Sequence, residues 1–221
     1  MSTVTSDAEK GTRLHHDYDN GAPSTSAATR SAPTPPWRPL ANPGPLGLSA
    51  FALTTFVLSL PNIVIGLAFF YGAGIGEFFV GNTFGATALS SYGGFWLSYA
   101  AILVPGFNAA APYNASTPEG AEEFRLAVSF FLFGWFIFTF LMLVAVLRHS
   151  IAFIVLFSTL DMAFLMLALG EHLEKTALIK AGGVFGLLAA FTAWYCAMAQ
   201  MLSNDNSFFT LPIVSFQKKA I

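Results

Sequence analysis

The 221-residue chain is 55% hydrophobic and only 10% charged. A soluble domain carries about 25% charged residues, so this chain lacks the polar surface that water requires. Its formal net charge of -2 argues against a nucleic-acid partner, and its one cysteine, Cys196, excludes an internal disulfide framework and reads as a small packing residue in an apolar run.

Residues 1–41 hold most of the Ser, Thr and Pro clustering, as in Ala22-Pro-Ser-Thr-Ser and Ser31-Ala-Pro-Thr-Pro-Pro, and almost no aliphatic run. Such a segment buries too little apolar surface to offset the entropy of ordering, so a disordered cytoplasmic tail is predicted. His15-His16 beside Asp17 reads as solvated polar residues rather than a metal site. The charged-then-apolar pattern of a secretory signal is missing, which leaves insertion to the first membrane segment.

Two apolar blocks follow, 46–60 and 62–80, interrupted by Pro61. A single helix of 35 residues would be about 52 Å long, too long for a bilayer core of about 30 Å even when tilted. Two ordinary spans and a turn would need more than about forty residues. The block therefore predicts a shortened hairpin of two helices hinged at Leu60-Pro61-Asn62, with Pro43 and Pro45 tolerated in the opening turn of the first. The blocks 84–104, 127–147, 151–170 and 181–202 are each long enough to span. The expected fold class is all-α: a polytopic membrane protein with a six-transmembrane-helix bundle over 42–203 and a cytoplasmic C-terminal tail over 204–221. The abundant Phe residues fit a lipid-facing surface.

Six spans put both termini on one side. Lys10, Arg13, Arg30, Arg38, Arg148, Lys218 and Lys219 then face inward, against Arg125, Lys175 and Lys180 outside, which favours an internal N-terminus. The loop between Pro105 and Arg125 falls outside and carries the sequon Asn114-Ala-Ser116.

The stretch Asn42-Pro-Gly-Pro-Leu-Gly-Leu resembles the signature of the acetate uptake transporter family of bacterial succinate-acetate permeases and fungal acetate and ammonia transporters. Gly81-Asn-Thr-Phe-Gly-Ala-Thr-Ala with Ser91-Tyr-Gly-Gly-Phe-Trp-Leu-Ser is similar to its third-helix block, and Asn206-Ser-Phe-Phe-Thr-Leu-Pro resembles its closing motif. Between Leu60 and Asn82 the chain is shorter than the family pattern. The resemblance implies a six-helix protomer, hexameric assembly in the plasma membrane, and a pathway narrowed by Phe51, Tyr92 and Leu160, with Ala193 selecting substrate. The implied cargo is acetate or a similar short monocarboxylate, carried with a proton. Ammonium or ammonia export, and a non-transporting sensor or assembly subunit, are the alternatives.

A bare carboxylate is costly in hydrocarbon, so its passage calls for neutralisation or polar partners. Asp161, near the middle of the fifth span, and Glu77, near the end of the second, are the proton-coupling candidates; hydrogen bonding between helices and contact with interfacial water are their bland counterparts. His149 reads as an interfacial anchor. An apolar ring, a branched aliphatic and a phenol make a gate that dewets when empty, and the Tyr92 hydroxyl is a donor for a passing carboxylate. Thr54, Thr55 and Ser91 are further donor candidates unless they bond back to their own helices. Asn42 reads as an N-cap, and a helix N-terminus favours anions. The spacing Gly182-x-x-x-Gly186 marks close helix approach, and Glu171-His-Leu-Glu-Lys175 reads as a solvated loop. With no nucleotide-binding or metal-ligand motif, neither an enzyme nor a cofactor is expected.

Overall fold

Apolar runs bounded by capping residues set the helices. The computed structural model describes residues 41–57 and 72–216, all within the unit Leu40–Ile221. The tail expected over 1–41, apart from Ala41, and the hinge at Leu60-Pro61-Asn62 lie outside the described residues. The helices are α1 (Gly44–Val57), α2 (72–79), α3 (Thr83–Leu103), α4 (Pro118–Val146), α5 (Ile151–His172) and α6 (Thr176–Met201). Among the described residues there is no β-strand beyond one isolated antiparallel bridge, Ser150 with Ser215.

The starts of three helices are written locally. The Asn82, Thr117 and Ser150 side chains accept from the backbone N–H groups of Gly85, Gly120 and Phe153, each satisfying a donor that the first turn leaves open. Gly81, at φ +80°, makes the turn from α2 into α3, a left-handed conformation that side chains with a Cβ resist.

Helices α4, α5 and α6 are long and apolar enough to cross a membrane. At 21 residues, α3 has the reach, about 31 Å, but carries five Ser or Thr residues and three Gly, which dilute its hydropathy. With 29 residues, α4 starts nine residues before the apolar block read from the sequence. Its first turns, with Glu119, Glu122, Glu123 and Arg125, extend the helix beyond the stretch that lipid needs to cover. Phe130, Ile137, Leu141 and Val144 recur at helical spacing on its exposed face, as a lipid-facing stripe does.

Helix α5 packs between α4 and α6, and α6 continues the layer onto α1. Small residues allow this: Ala189, Ala190, Ala193 and Ala197 of α6 are buried, as are Ala50 and Ala52 of α1. Gly182 is a close approach in the expected sense, since a Cβ there would stand 2.7 Å from the Leu167 side chain and 3.0 Å from its backbone nitrogen. Gly186 is looser, its nearest such neighbour being the Thr55 methyl at 3.9 Å.

Large rings join α3 to α4 and α5. Phe95 packs edge-on against Trp135 and Phe164 with centroids 5.2 and 5.0 Å away, and stacks on Phe131 at 5.8 Å. Such contacts add about 0.5–1.5 kcal/mol each beyond the area they bury.

The run Glu171 to Lys175 is more tied than a solvated loop. Arg125 forms an ion pair of 2.8 Å with Glu174 and donates to the Glu171 carbonyl. The His172 ring, ending α5, lies against Phe130 and Phe133.

Candidate substrate pathway

A cavity of about 230 Å³ opens among the starts of α1, α3 and α5 and the end of α6, with room for several water-sized molecules. On each of three helices the lining residues recur at helical spacing and stop at one level. On α1 they are Gly44, Leu48 and Phe51; on α3, Phe84, Gly85, Ala88, Leu89 and Tyr92; on α5, Phe153, Leu156, Phe157 and Leu160. Phe51, Tyr92 and Leu160 are thus brought together at the inner end, each only 4–5% exposed. The Phe51 and Tyr92 rings meet edge to face with centroids 6.0 Å apart.

The outer end is polar. Asn42 lies outside the lining but bonds to two residues of it: its Oδ1 accepts from the Gly44 backbone N–H at 3.0 Å, and its amide nitrogen donates to Gln200 Oε1 at 3.5 Å. Glu77 is buried and lines the cavity; its Oε2 accepts from Asn82 Nδ2 at 2.7 Å. A Cβ on Gly44 would come within 3.0 Å of Glu77 Oε1, so the carboxylate lies against the N-termini of both α1 and α3. Both helix dipoles favour negative charge there. Glu77 thus belongs to the cavity wall. His149 also lines the cavity rather than acting only as an interfacial anchor.

The donor candidates fare unevenly. Thr54 is buried and bonds back to the Ala50 and Phe51 carbonyls at 2.9 and 3.0 Å. The Thr55 hydroxyl is buried without a hydrogen-bond partner among the described residues. Thr54, Thr55, Ser91 and Ala193 all lie outside the cavity lining, Ala193 within the buried alanine row of α6. Asp161, 2% exposed, lies outside the lining too, and its Oδ1 has no hydrogen-bond partner among the described residues.

Sequence reasoning missed Thr139. The Tyr92 hydroxyl lies 2.9 Å from Thr139 Oγ1 on α4, a hydrogen bond in which either hydroxyl can donate, so the phenol has a partner on another helix. The signal was a lone hydroxyl in the apolar run Phe138-Thr139-Phe140. Replacing Thr139 with Val is expected to cost about 1–3 kcal/mol, the penalty of stranding a buried hydroxyl, whereas adding Tyr92→Phe removes both partners and recovers most of it. Thermal unfolding in detergent checks this, and simply additive losses would refute the pairing.

A helical membrane bundle with a part-polar cavity lined by a phenyl, a phenol and a branched aliphatic fits the class of small-solute pathways. The model of the GPR1/FUN34/yaaH family matches residues 25–218, and the chain belongs to that family. It is 53% identical to Acetate permease A of Emericella nidulans over 204 residues, covering 81% of this chain and 67% of that protein. It is 35% identical to the Succinate-acetate/proton symporter SatP of Escherichia coli K12, over 79% of this chain and 95% of the symporter. The solved structure of the bacterial acetate channel SatP superposes with a TM-score of 0.62 at 34% identity, over 79% of this chain and 99% of the channel. The chain thus spans about two thirds of the fungal permease and nearly all of its bacterial relatives.

Proposed function

We propose that this protein moves acetate or a similar short monocarboxylate across a membrane together with a proton, through the cavity and the Phe51, Tyr92 and Leu160 constriction. The observation that carries the reading is the meeting of these three side chains at the inner end of a cavity whose outer end is built from helix N-termini and amides. Amides and N-terminal N–H groups draw in an anion, and the apolar constriction passes only a small one. Similarity to an acetate permease and to a succinate-acetate/proton symporter supports the choice of cargo and coupling. No bond-making step is assigned to any residue. Glu77, lining the cavity, and Asp161, buried beside Leu160 in sequence, are the proposed proton carriers.

Labelled acetate is expected to enter proteoliposomes faster than protein-free vesicles and to accumulate when a proton gradient is imposed. Equal uptake in both would overturn the reading. Ammonium release that persists under saturating acetate would select export of ammonium instead.

The proposal extends to a plasma-membrane homo-oligomer, hexameric by family resemblance, with the N-terminus cytoplasmic and the Asn114 loop outside. Asn114 is exposed, with its Oδ1 accepting from Ser116 Oγ at 3.2 Å. In a eukaryotic host the chain should show an electrophoretic shift that endoglycosidase and Asn114→Gln both remove. Glycosylation of an acceptor placed in the N-terminal tail, with none at Asn114, would invert the orientation.

A further inference from the structure

Beyond Met201 the chain turns back onto the bundle. Asn206 makes the turn: its Oδ1 accepts from the Ser203 N–H at 2.8 Å and its Nδ2 donates to the Met201 carbonyl at 3.0 Å, one of the acceptors that the end of α6 leaves open. The Tyr195 hydroxyl then donates to the Pro212 carbonyl at 2.6 Å. At the junction of α4 and α5, Ile151 N–H donates to the Val214 carbonyl at 3.1 Å and Phe216 N–H to the His149 carbonyl at 3.2 Å. Between these two anchorages sits Ile213, which lines the cavity beside His149 and Gln200.

The far end of this segment is lightly held. Its pairing is a single bridge rather than a ladder, supplemented by a bond from Ser215 Oγ to the His149 carbonyl at 3.2 Å, and Val214 and Phe216 are exposed. Elements with little buried apolar surface and few hydrogen bonds open first. The segment therefore combines a side chain in the cavity wall with an attachment that can release.

We propose that residues 203–216 form a strap that closes the mouth of the cavity with Ile213, and that carboxylate passage requires its Val214 to Phe216 end to lift from the α4–α5 junction. This rests on the cavity being the transport pathway. The motif beginning at Asn206 thereby gains a role in the pathway, aiming the chain so that Ile213 meets the cavity.

The hydrogen-bond pattern allows the strap to be locked. The bonds flank Ser150 and Ser215, which makes them a non-hydrogen-bonded antiparallel pair. Such pairs hold their Cα atoms about 4.5 Å apart, within the range a disulfide spans. Cys196, the only native thiol, is buried. In proteoliposomes, the Ser150→Cys/Ser215→Cys double variant is expected to take up acetate when reduced, to fall to the protein-free rate when oxidised, and to recover with reductant. Each single variant should transport in both conditions. Ile213→Ala, which keeps every hydrogen bond of the strap, should raise the uptake rate and covers the case in which the double variant fails to fold. Undiminished uptake by protein shown by mass to be fully cross-linked would overturn the strap, as would an Ile213→Ala rate equal to that of the unaltered chain. If the unaltered chain moves no acetate at all, the transport reading fails first and the strap falls with it.

Discussion

Leu160→Trp is expected to bring acetate uptake down to the protein-free rate while leaving the protein folded. Leu160 lines the cavity with Phe51 and Tyr92, where the proposed constriction lies, and is only 5% exposed. An indole there fills the space through which a small anion would pass. Overpacking a tight core costs about 1–3 kcal/mol, but the adjoining cavity of about 230 Å³ takes up bulk that a dense interior could not. Loss of transport with a nearly unchanged melting temperature is therefore the expected pair of results. The opposite change, Leu160→Ala, should widen the passage and admit longer monocarboxylates, at a cost of about 2–5 kcal/mol in stability. Uptake of a chain-length series, measured beside thermal unfolding in detergent, checks both. A Trp variant that moves acetate at the unaltered rate would remove Leu160 from the pathway.

Replacing Asp161 with Leu should separate coupling from conduction. The carboxylate is 2% exposed, lies in a membrane-spanning helix, and has one oxygen without a hydrogen-bond partner among the described residues. An ionisable group at that depth costs roughly 3 kcal/mol or more unless it is paired, and about 2–4 °C of melting temperature goes with each kcal/mol in a chain of this size. Leu removes the penalty, so the variant should melt several degrees higher. If Asp161 carries the coupled proton, acetate should still run down its own gradient, while accumulation against that gradient under an imposed proton gradient is lost. Asp161→Asn, which keeps the shape, should lose accumulation in the same way. A variant that melts lower and accumulates acetate normally would show that Asp161 holds helices together instead.

The two acidic candidates illustrate why burial and position carry different information. Glu77 lines the cavity with a hydrogen-bond partner, Asn82, and against two helix N-termini. Asp161 lies outside the lining, and one of its oxygens has no hydrogen-bond partner among the described residues. A protonatable group in the wall can meet the cargo directly. One behind the wall acts through Leu160 or the neighbouring helices, which is why its test needs a readout of coupling as well as rate.

Sequence alone determined the membrane class and the apolar runs that became α4, α5 and α6, because both depend on composition along the chain; the caps Asn82, Thr117 and Ser150, though they act within one helical turn, emerged only with the structure. The family pattern carried Phe51, Tyr92 and Leu160, which the fold brings to one level of the cavity. Only the tertiary structure decided that Tyr92 is engaged by Thr139, 47 positions away, and that Ser215 returns to His149, 66 positions back. It also decided that Glu77 and His149 face the cavity whereas Ala193, Thr54 and Ser91 do not. Helical periodicity states which residues share a face, but not which neighbour that face meets. That follows from the rotation and offset of packed helices, set here by alanine rows on α6 and by aromatic rings between α3 and α4. The membrane bundle was therefore legible from local chemistry, while the partners that shape its cavity emerged only when distant helices were packed together.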